Sequence, residues 1–462
     1  MALLKNFAAI AVLSATAAFG DSGHSDWPKY CANLAMTGVA QGAANLSPAT
    51  ARFLNQLWKV KLNGPIASQP TIVNGIVYIG DWSGTEWALD AATGIPLAHA
   101  NLGTTTAPQC DPSTIGITSS AAVSSNIVYV AGGDDAFYAL DATTLAVVWR
   151  RSLGDNSKTG GYYGWCSPAI AAGEILQGIS SNCDDPFVPG RLMALNISDG
   201  SDNNISWMIE PEWPNNALGG GIWTSPAVDE AKGDVFVTTG SANDINDGNA
   251  FSILRLDLYT LVIQEAWKIE VSDPISDSDW GTSPTLFTDS RGREMVGAGQ
   301  KDGNYYAFAR HGLGQGPAWK RQLANGGTCP LCADGVLSTA AFDGRRLYVG
   351  SGRPPDADDN VIGAVNALNP NDGSIVWRYP LAAPVIAPVS YANGVVFTTA
   401  GTNAIALDAA TGALLWKGNT KAMCVGGVAI TDRGIVFGDL AGNLYAYAIP
   451  PDAPVRGRSA SH

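Results

Sequence analysis

The chain carries seven cysteines, four histidines and two clusters of carboxylates, and these limit its chemistry. Cys329-Pro330-Leu331-Cys332 has the spacing of a covalent haem attachment, but Ala333 stands where the histidine is needed, so no haem is expected. A four-thiolate zinc site needs a second close pair, which the sequence lacks. Disulfides are the better use of these thiols: a small loop at Cys329 and Cys332, and a longer bridge between Cys166 and Cys183. The odd total leaves at least one thiol unpaired. His24, His99, His311 and His462 are not spaced as a metal-binding pair. No Gly-x-Ser-x-Gly marks a nucleophilic serine, and no glycine fingerprint for a dinucleotide opens a helix. What remains is acid–base and electrostatic chemistry. Asp184-Asp185 follows Cys183, Asp277 and Asp279 flank Ser278, and Lys301 sits in a turn next to Gly299 and Gly303, a placement that suits a lysine directed into a channel.

The elements that must hold these groups form a repeat. Its cleanest copy is Ala406-Leu407-Asp408-Ala409-Ala410-Thr411-Gly412, with Trp416 closing the strand that follows; Ala88 to Gly94 and Ala139 to Thr144 repeat it. A strand precedes each copy, from Ile76-Val77-Tyr78 through Ile127, Ile175, Val235, Met295, Leu347 and Val395 to Ile435-Val436-Phe437, which makes eight units. A small-residue strand leads each unit, as at Thr224-Ser225-Pro226. A fourth strand carries Trp149, Trp207, Trp267, Trp319, Trp377 or Trp416. Four short strands in eight repeats predict an all-β, eight-bladed β-propeller. The eighth unit stops at Ile449-Pro450 without its fourth strand. Leu54–Leu62, with Trp58, supplies the missing strand and closes the ring, which otherwise exposes a sheet edge. In most units the aspartate accepts turn N–H groups and the tryptophan packs between blades. Asp257 follows Asn196 by 61 positions, whereas Ala448 follows Asp408 by 40. The insertions of units three to six therefore crowd one end of the channel, where a site is expected.

Residues 1–20 read as a cleaved secretory signal: Lys5, an apolar run from Phe7 to Phe19, then small residues. Residues 21–450 form the propeller, and 451–462 a disordered tail. A secreted protein without a membrane span is expected. The formal charge of −14 disfavours nucleic acid. Asn45, Asn196 and Asn204 open glycosylation patterns that matter in a eukaryotic host.

The Ala-Leu-Asp-Ala-x-Thr-Gly-x-x-x-Trp repeat resembles that of the quinoprotein alcohol dehydrogenases. Asp26-Trp27-Pro28-Lys29-Tyr30, Asn45-Leu46-Ser47-Pro48 and Gly299-Gln300-Lys301-Asp302-Gly303-Asn304-Tyr305-Tyr306 are similar to the branch acting on polyvinyl alcohol. The resemblance implies pyrroloquinoline quinone and calcium as cofactors, a small-molecule or polymeric alcohol as substrate, and an external electron acceptor. It implies Trp223 as the stacking indole, Lys301 and Ser181 as further quinone contacts, and Asp257 as the base, with Asp279 a second catalytic carboxylate at the same rim. Calcium falls to Asp184 or Asp185, with Ser241 at the place of the family's asparagine and Asn243 as its substitute. The family's adjacent cysteine pair is absent. Two other readings fit the same ring: a cofactor-free binding or scaffold module, and a propeller recruited to non-redox chemistry on a small natural product.

Overall fold

The computed structural model describes residues 25–43, 45–155, 157, 160–269, 279–451 and 453. The signal-like segment 1–20, Asp277, His24 and nearly all of the tail 451–462 lie outside them. Within them, eight antiparallel sheets of four blade strands form a ring, and the helices are short 3-10 turns. Blade 1 shows the pattern: Thr71–Val73, Ile76–Gly80, Thr85–Asp90 and Pro96–Asn101, paired in that order. The last blade is completed by Asn55–Lys61, which pairs antiparallel with Asn443–Ala448. No helix among the described residues is long and apolar enough to cross a membrane.

The repeated phrase explains the ring closure atom by atom. In the turn after the third strand of blades 1, 2, 4 and 7 one carboxylate oxygen, of Asp90, Asp141, Asp257 or Asp408, gathers two backbone N–H groups and a hydroxyl. Asp408 Oδ1 accepts from Ala410 N and Thr411 N at 2.9 Å and from Thr411 Oγ1 at 3.0 Å. The glycine that ends the turn has positive φ, 75° at Gly412 and 73° at Gly94. It also has no room for a side chain. A Cβ on Gly412 falls 2.7 Å from the Trp377 ring, and one on Gly94 falls 2.7 Å from Trp58. The tryptophan of one blade thus lies on the turn of the next, and its indole N–H is satisfied there. Trp377 Nε1 donates to Ala409 O at 3.0 Å, Trp319 Nε1 to Pro370 O at 3.0 Å, and Trp58 Nε1 to Ala91 O at 2.9 Å. Trp58 therefore makes the bond expected of a fourth-strand tryptophan, and blade 8 meets blade 1.

A second ring of bonds lines the channel. Inner strands begin with a hydroxyl residue that accepts the N–H of its counterpart one blade back. Gln69 N donates to Ser120 Oγ at 3.1 Å, Ser120 N to Ser167 Oγ at 2.9 Å, and Ser167 N to Ser225 Oγ at 3.0 Å. Ser225 N donates to Ser283 Oγ at 2.8 Å and Ser283 N to Thr339 Oγ1 at 3.2 Å. These hydroxyls are buried and paired, so they do not force the channel open. Residues 27–43 run across the base of the ring, trading backbone bonds with Ile72, Val123, Val228, Leu286, Phe342 and Tyr391. Lys29 is buried there, and burial lowers its ammonium to about 8. It donates to Tyr30 O at 2.9 Å.

Two disulfides form. Cys329–Cys332 closes the small loop as expected, but Cys183 pairs with Cys110, not with Cys166. Cys166 is fully buried and accepts Gly178 N at 3.2 Å, while Cys183 sits exposed on the blade 3 insertion. Cys31, Cys166 and Cys424 are buried thiols.

Candidate active site

The insertions of blades 3 and 4 and the turns of blades 4 and 5 meet over one side of the channel. They enclose a cavity of about 540 Å³ lined by Trp165, Ser181, Asn182, Asp184, Trp223, Ser241, Asp279 and Lys301 among others. Close approach of the backbones makes this convergence possible. A Cβ on Gly221 falls 2.7 Å from that of Ser180, so blades 3 and 4 touch there only because Gly221 is bare.

A polar network organises the cavity wall. Ser241 bridges its two carboxylates: its N–H donates to Asp279 Oδ1 at 2.5 Å and its Oγ to Asp184 Oδ2 at 3.2 Å. Ser181 Oγ donates to Asp184 Oδ1 at 2.5 Å. Lys301 Nζ donates to Asp279 Oδ2 at 3.1 Å and lies 5.8 Å from the centre of the Trp223 ring. The backbone repeats the pairing, since Lys301 N donates to Asp279 O at 3.1 Å. Burial pushes the Asp184 carboxyl up to about 6, the charge of Asp279 adds to the rise, and the two serine hydroxyls oppose it. Asp184 also holds left-handed backbone at φ 60°, a conformation that concentrates at functional sites.

The nine residues singled out from sequence as candidate site residues divide cleanly. Trp223, Lys301, Asp279, Ser181, Asp184 and Ser241 come together. Asp257 does not join them. Its Oδ1 accepts Tyr259 N at 3.1 Å, Thr260 N at 2.9 Å and Thr260 Oγ1 at 2.8 Å, and the Thr260 hydroxyl leads in holding its carboxyl below the usual range. It is the turn aspartate of its blade, like Asp408. Asp185 and Asn243 are exposed and away from the cavity lining. The Asp185 carbonyl instead accepts from Gln109 Nε2, beside the Cys110–Cys183 bridge. Trp165 and Asn182 were not singled out. Trp165 stands two residues before Ser167-Pro168, as Trp223 stands two before Ser225-Pro226, so the sequence held that signal.

The donor set suits a hard cation and a flat anion. Two carboxylates and two hydroxyls are oxygen donors of the kind calcium takes, though fewer than its usual six to eight. Among the described residues no group of three or more His, Cys, Asp or Glu side chains could hold a metal alone. A cation here would complete its shell with ligand and solvent oxygens. Two carboxylates, Asp184 and Asp279, joined through Ser241 on one cavity wall are the observation that favours it. The Asn182 Nδ2 and Trp223 Nε1 atoms are buried without a partner, which leaves polar atoms beside the cavity for a polar ring to satisfy.

Comparison with known proteins places the chain. Residues 55–309 and 301–449 match the model of a family described as outer membrane protein assembly factor BamB. The chain belongs to this BamB family of propeller repeats. It is 25% identical over 432 residues to a polyvinylalcohol dehydrogenase of Sphingopyxis sp. (strain 113P3), covering 80% of this chain and 63% of that protein. A polyvinylalcohol dehydrogenase of Pseudomonas sp is 24% identical over 427 residues, 82% of this chain and 65% of its own. The chain thus spans under two thirds of the length of these relatives. Among solved structures, the quinohemoprotein alcohol dehydrogenase of Comamonas testosteroni superposes with a TM-score of 0.72 at 17% identity, over 94% of this chain and 82% of the other. BamB of Moraxella catarrhalis gives 0.57 at 14%, over 86% and 99%. These superpositions show the propeller fold.

Proposed function

We propose that this BamB-family propeller is a secreted alcohol dehydrogenase that uses pyrroloquinoline quinone and calcium. The observation that carries the reading is the convergence of Trp223, Lys301 and Asp279 on one cavity, in a chain related along most of its length to polyvinylalcohol dehydrogenases. When bound, the quinone supplies a two-electron acceptor. The rest falls to the chain. Trp223 would support the quinone, and Lys301 would neutralise its acidic groups. Asp184, Ser241 and Ser181 would offer oxygens to calcium. Asp279, held by Ser241 N and Lys301, takes the alcohol proton at Oδ2. The base thus shifts from Asp257 to Asp279. The two disulfides support export, and electrons leave to an external acceptor.

Purified protein, loaded with the quinone and calcium, should reduce a dye at the expense of alcohols. Asp279→Asn should lower this by about 10²–10⁴, and absence of dye reduction in the loaded wild type overturns the reading. A scaffold without cofactor is the second reading. It is favoured by Ser241 in place of an asparagine ligand and by the exposure of Asn243. Quinone failing to bind while the fold is intact would select it.

A further inference from the structure

A second cavity of about 320 Å³ opens beside the first and shares Trp165 and Trp223 with it. Its wall follows from the repeat. At the position two residues before Ser167, Ser225, Ser283, Thr339, Pro388 and Gly427, blades 3 to 8 present Trp165, Trp223, Gly281, Leu337, Ile386 and Val425. The two indoles come from blades 3 and 4, next to the charged cluster. The three aliphatic side chains come from blades 6, 7 and 8, across the channel. The charged side chains thus lie on one side of the mouth and the large aliphatic ones on the other, while channel hydroxyls such as Ser120, Ser225 and Thr339 line the cavity between blades.

Leu331 extends the aliphatic half. It lines the same cavity, yet it is 60% exposed, among the most exposed large apolar residues of the described chain. Its loop is built to hold it there. The Cys329–Cys332 bridge closes the turn Pro330–Cys332. Cys329 N donates to Asp334 Oδ2 at 3.2 Å, and Gly335 N to Asn325 O at 2.8 Å. The loop is also tied to the charged cluster, because Gly327 N donates to Lys301 O at 3.0 Å. An apolar side chain held at a cavity mouth by a covalent staple lacks a protein partner for its exposed face.

We propose that Leu331, Leu337, Ile386 and Val425 seat the unbranched carbon chain of an alcohol whose hydroxyl reaches Asp279, and so select alcohols with apolar chains over short or polyhydroxylated ones. This rests on the dehydrogenase reading for the reaction, but the seating belongs to the chain alone. Each methylene taken from water into such a wall should tighten binding about fourfold, the equivalent of ~0.8 kcal/mol.

The test uses the protein without quinone. Trp82, Trp165 and Trp223 line the cavity and report on its occupancy by fluorescence. Titration with 1-alkanols from ethanol to 1-octanol should give an affinity that rises about threefold to fourfold per methylene until the wall is filled. Leu331→Ser should weaken 1-octanol about tenfold and flatten the series, and Leu331→Met should restore it. Leu331 is exposed, so the serine variant tests seating without disturbing the core; unchanged circular dichroism checks this. An affinity that does not depend on chain length overturns the proposal, as does equal 1-octanol binding by Leu331→Ser. Tighter binding of a vinyl alcohol oligomer than of the alkanol of equal carbon number also overturns it. If the quinone fails to bind while the alkanol series persists, the dehydrogenase reading alone has failed.

Discussion

Asp184→Asn should stabilise the metal-free protein near neutral pH. The Asp184 carboxyl is raised from 3.8 to about 6, mainly by burial. A raised folded value means that the charged form is held less well in the fold than in the unfolded chain. Its effect is absent below about pH 4, grows as pH rises toward 6, and is complete above that. Each unit is worth about 1.4 kcal/mol, so the ceiling is about 3 kcal/mol; partial exposure and the neighbouring Asp279 bring the expectation to about 1–2 kcal/mol. Asparagine is close in shape, accepts a bond from Ser181 or Ser241, and tolerates the φ of 60° at this position. The substitution therefore isolates the charge. Thermal unfolding with a chelator present, from pH 4 to 8, is the assay. The wild type should lose a few degrees between pH 4 and 6.5, and the variant should not. Calcium should raise the wild-type midpoint at pH 7.5 and leave the variant nearly unchanged. A variant less stable than wild type at pH 7.5 without metal would refute the reasoning.

Gly412→Ala forces a Cβ to within 2.7 Å of the Trp377 ring at a φ of 75°, and should cost about 2–3 kcal/mol in chemical denaturation. Asp279→Asn should lower turnover by about 10²–10⁴, while Asp257→Asn, confined to a blade turn, should change turnover less than twofold and lower the unfolding midpoint slightly; steady-state dye reduction compares them. Replacing Cys110 and Cys183 by serine removes a bridge across 73 residues and should cost about 2–4 kcal/mol, with weaker quinone binding because Asp184 follows Cys183 directly.

The ring was legible in the sequence because each blade repeats the same physical problem. Asp408, Gly412 and Trp416 recur as turn acceptor, bare surface and interblade wedge, and Trp58 could be assigned to the gap in blade 8 by elimination. The site was legible where it broke that pattern. Lys301 stands at a turn position held by neutral residues such as Trp82 and Leu440 in other blades, and Trp223 at one that carries an indole only in blades 3 and 4. Asp257 misled because its phrase is the repeat itself, and the same three bonds that make Asp408 structural hold it in its turn. Disulfide pairing was not legible, since spacing says nothing of which loops a ring brings together. The hairpin of Thr105–Thr106 and Thr114–Ile115 reaches the blade 3 insertion only in three dimensions. Trp165 was overlooked although it shares its register with Trp223.

The central claim is that the Trp223–Lys301–Asp279 cavity takes a quinone. Calorimetric titration of the metal-loaded protein with pyrroloquinoline quinone tests it most directly. The account predicts one site per chain with a Kd at or below about 1 μM, worth about 8 kcal/mol, and at least a tenfold loss on Lys301→Met. No heat of binding from a folded, calcium-loaded protein, or binding indifferent to Lys301→Met, would contradict it.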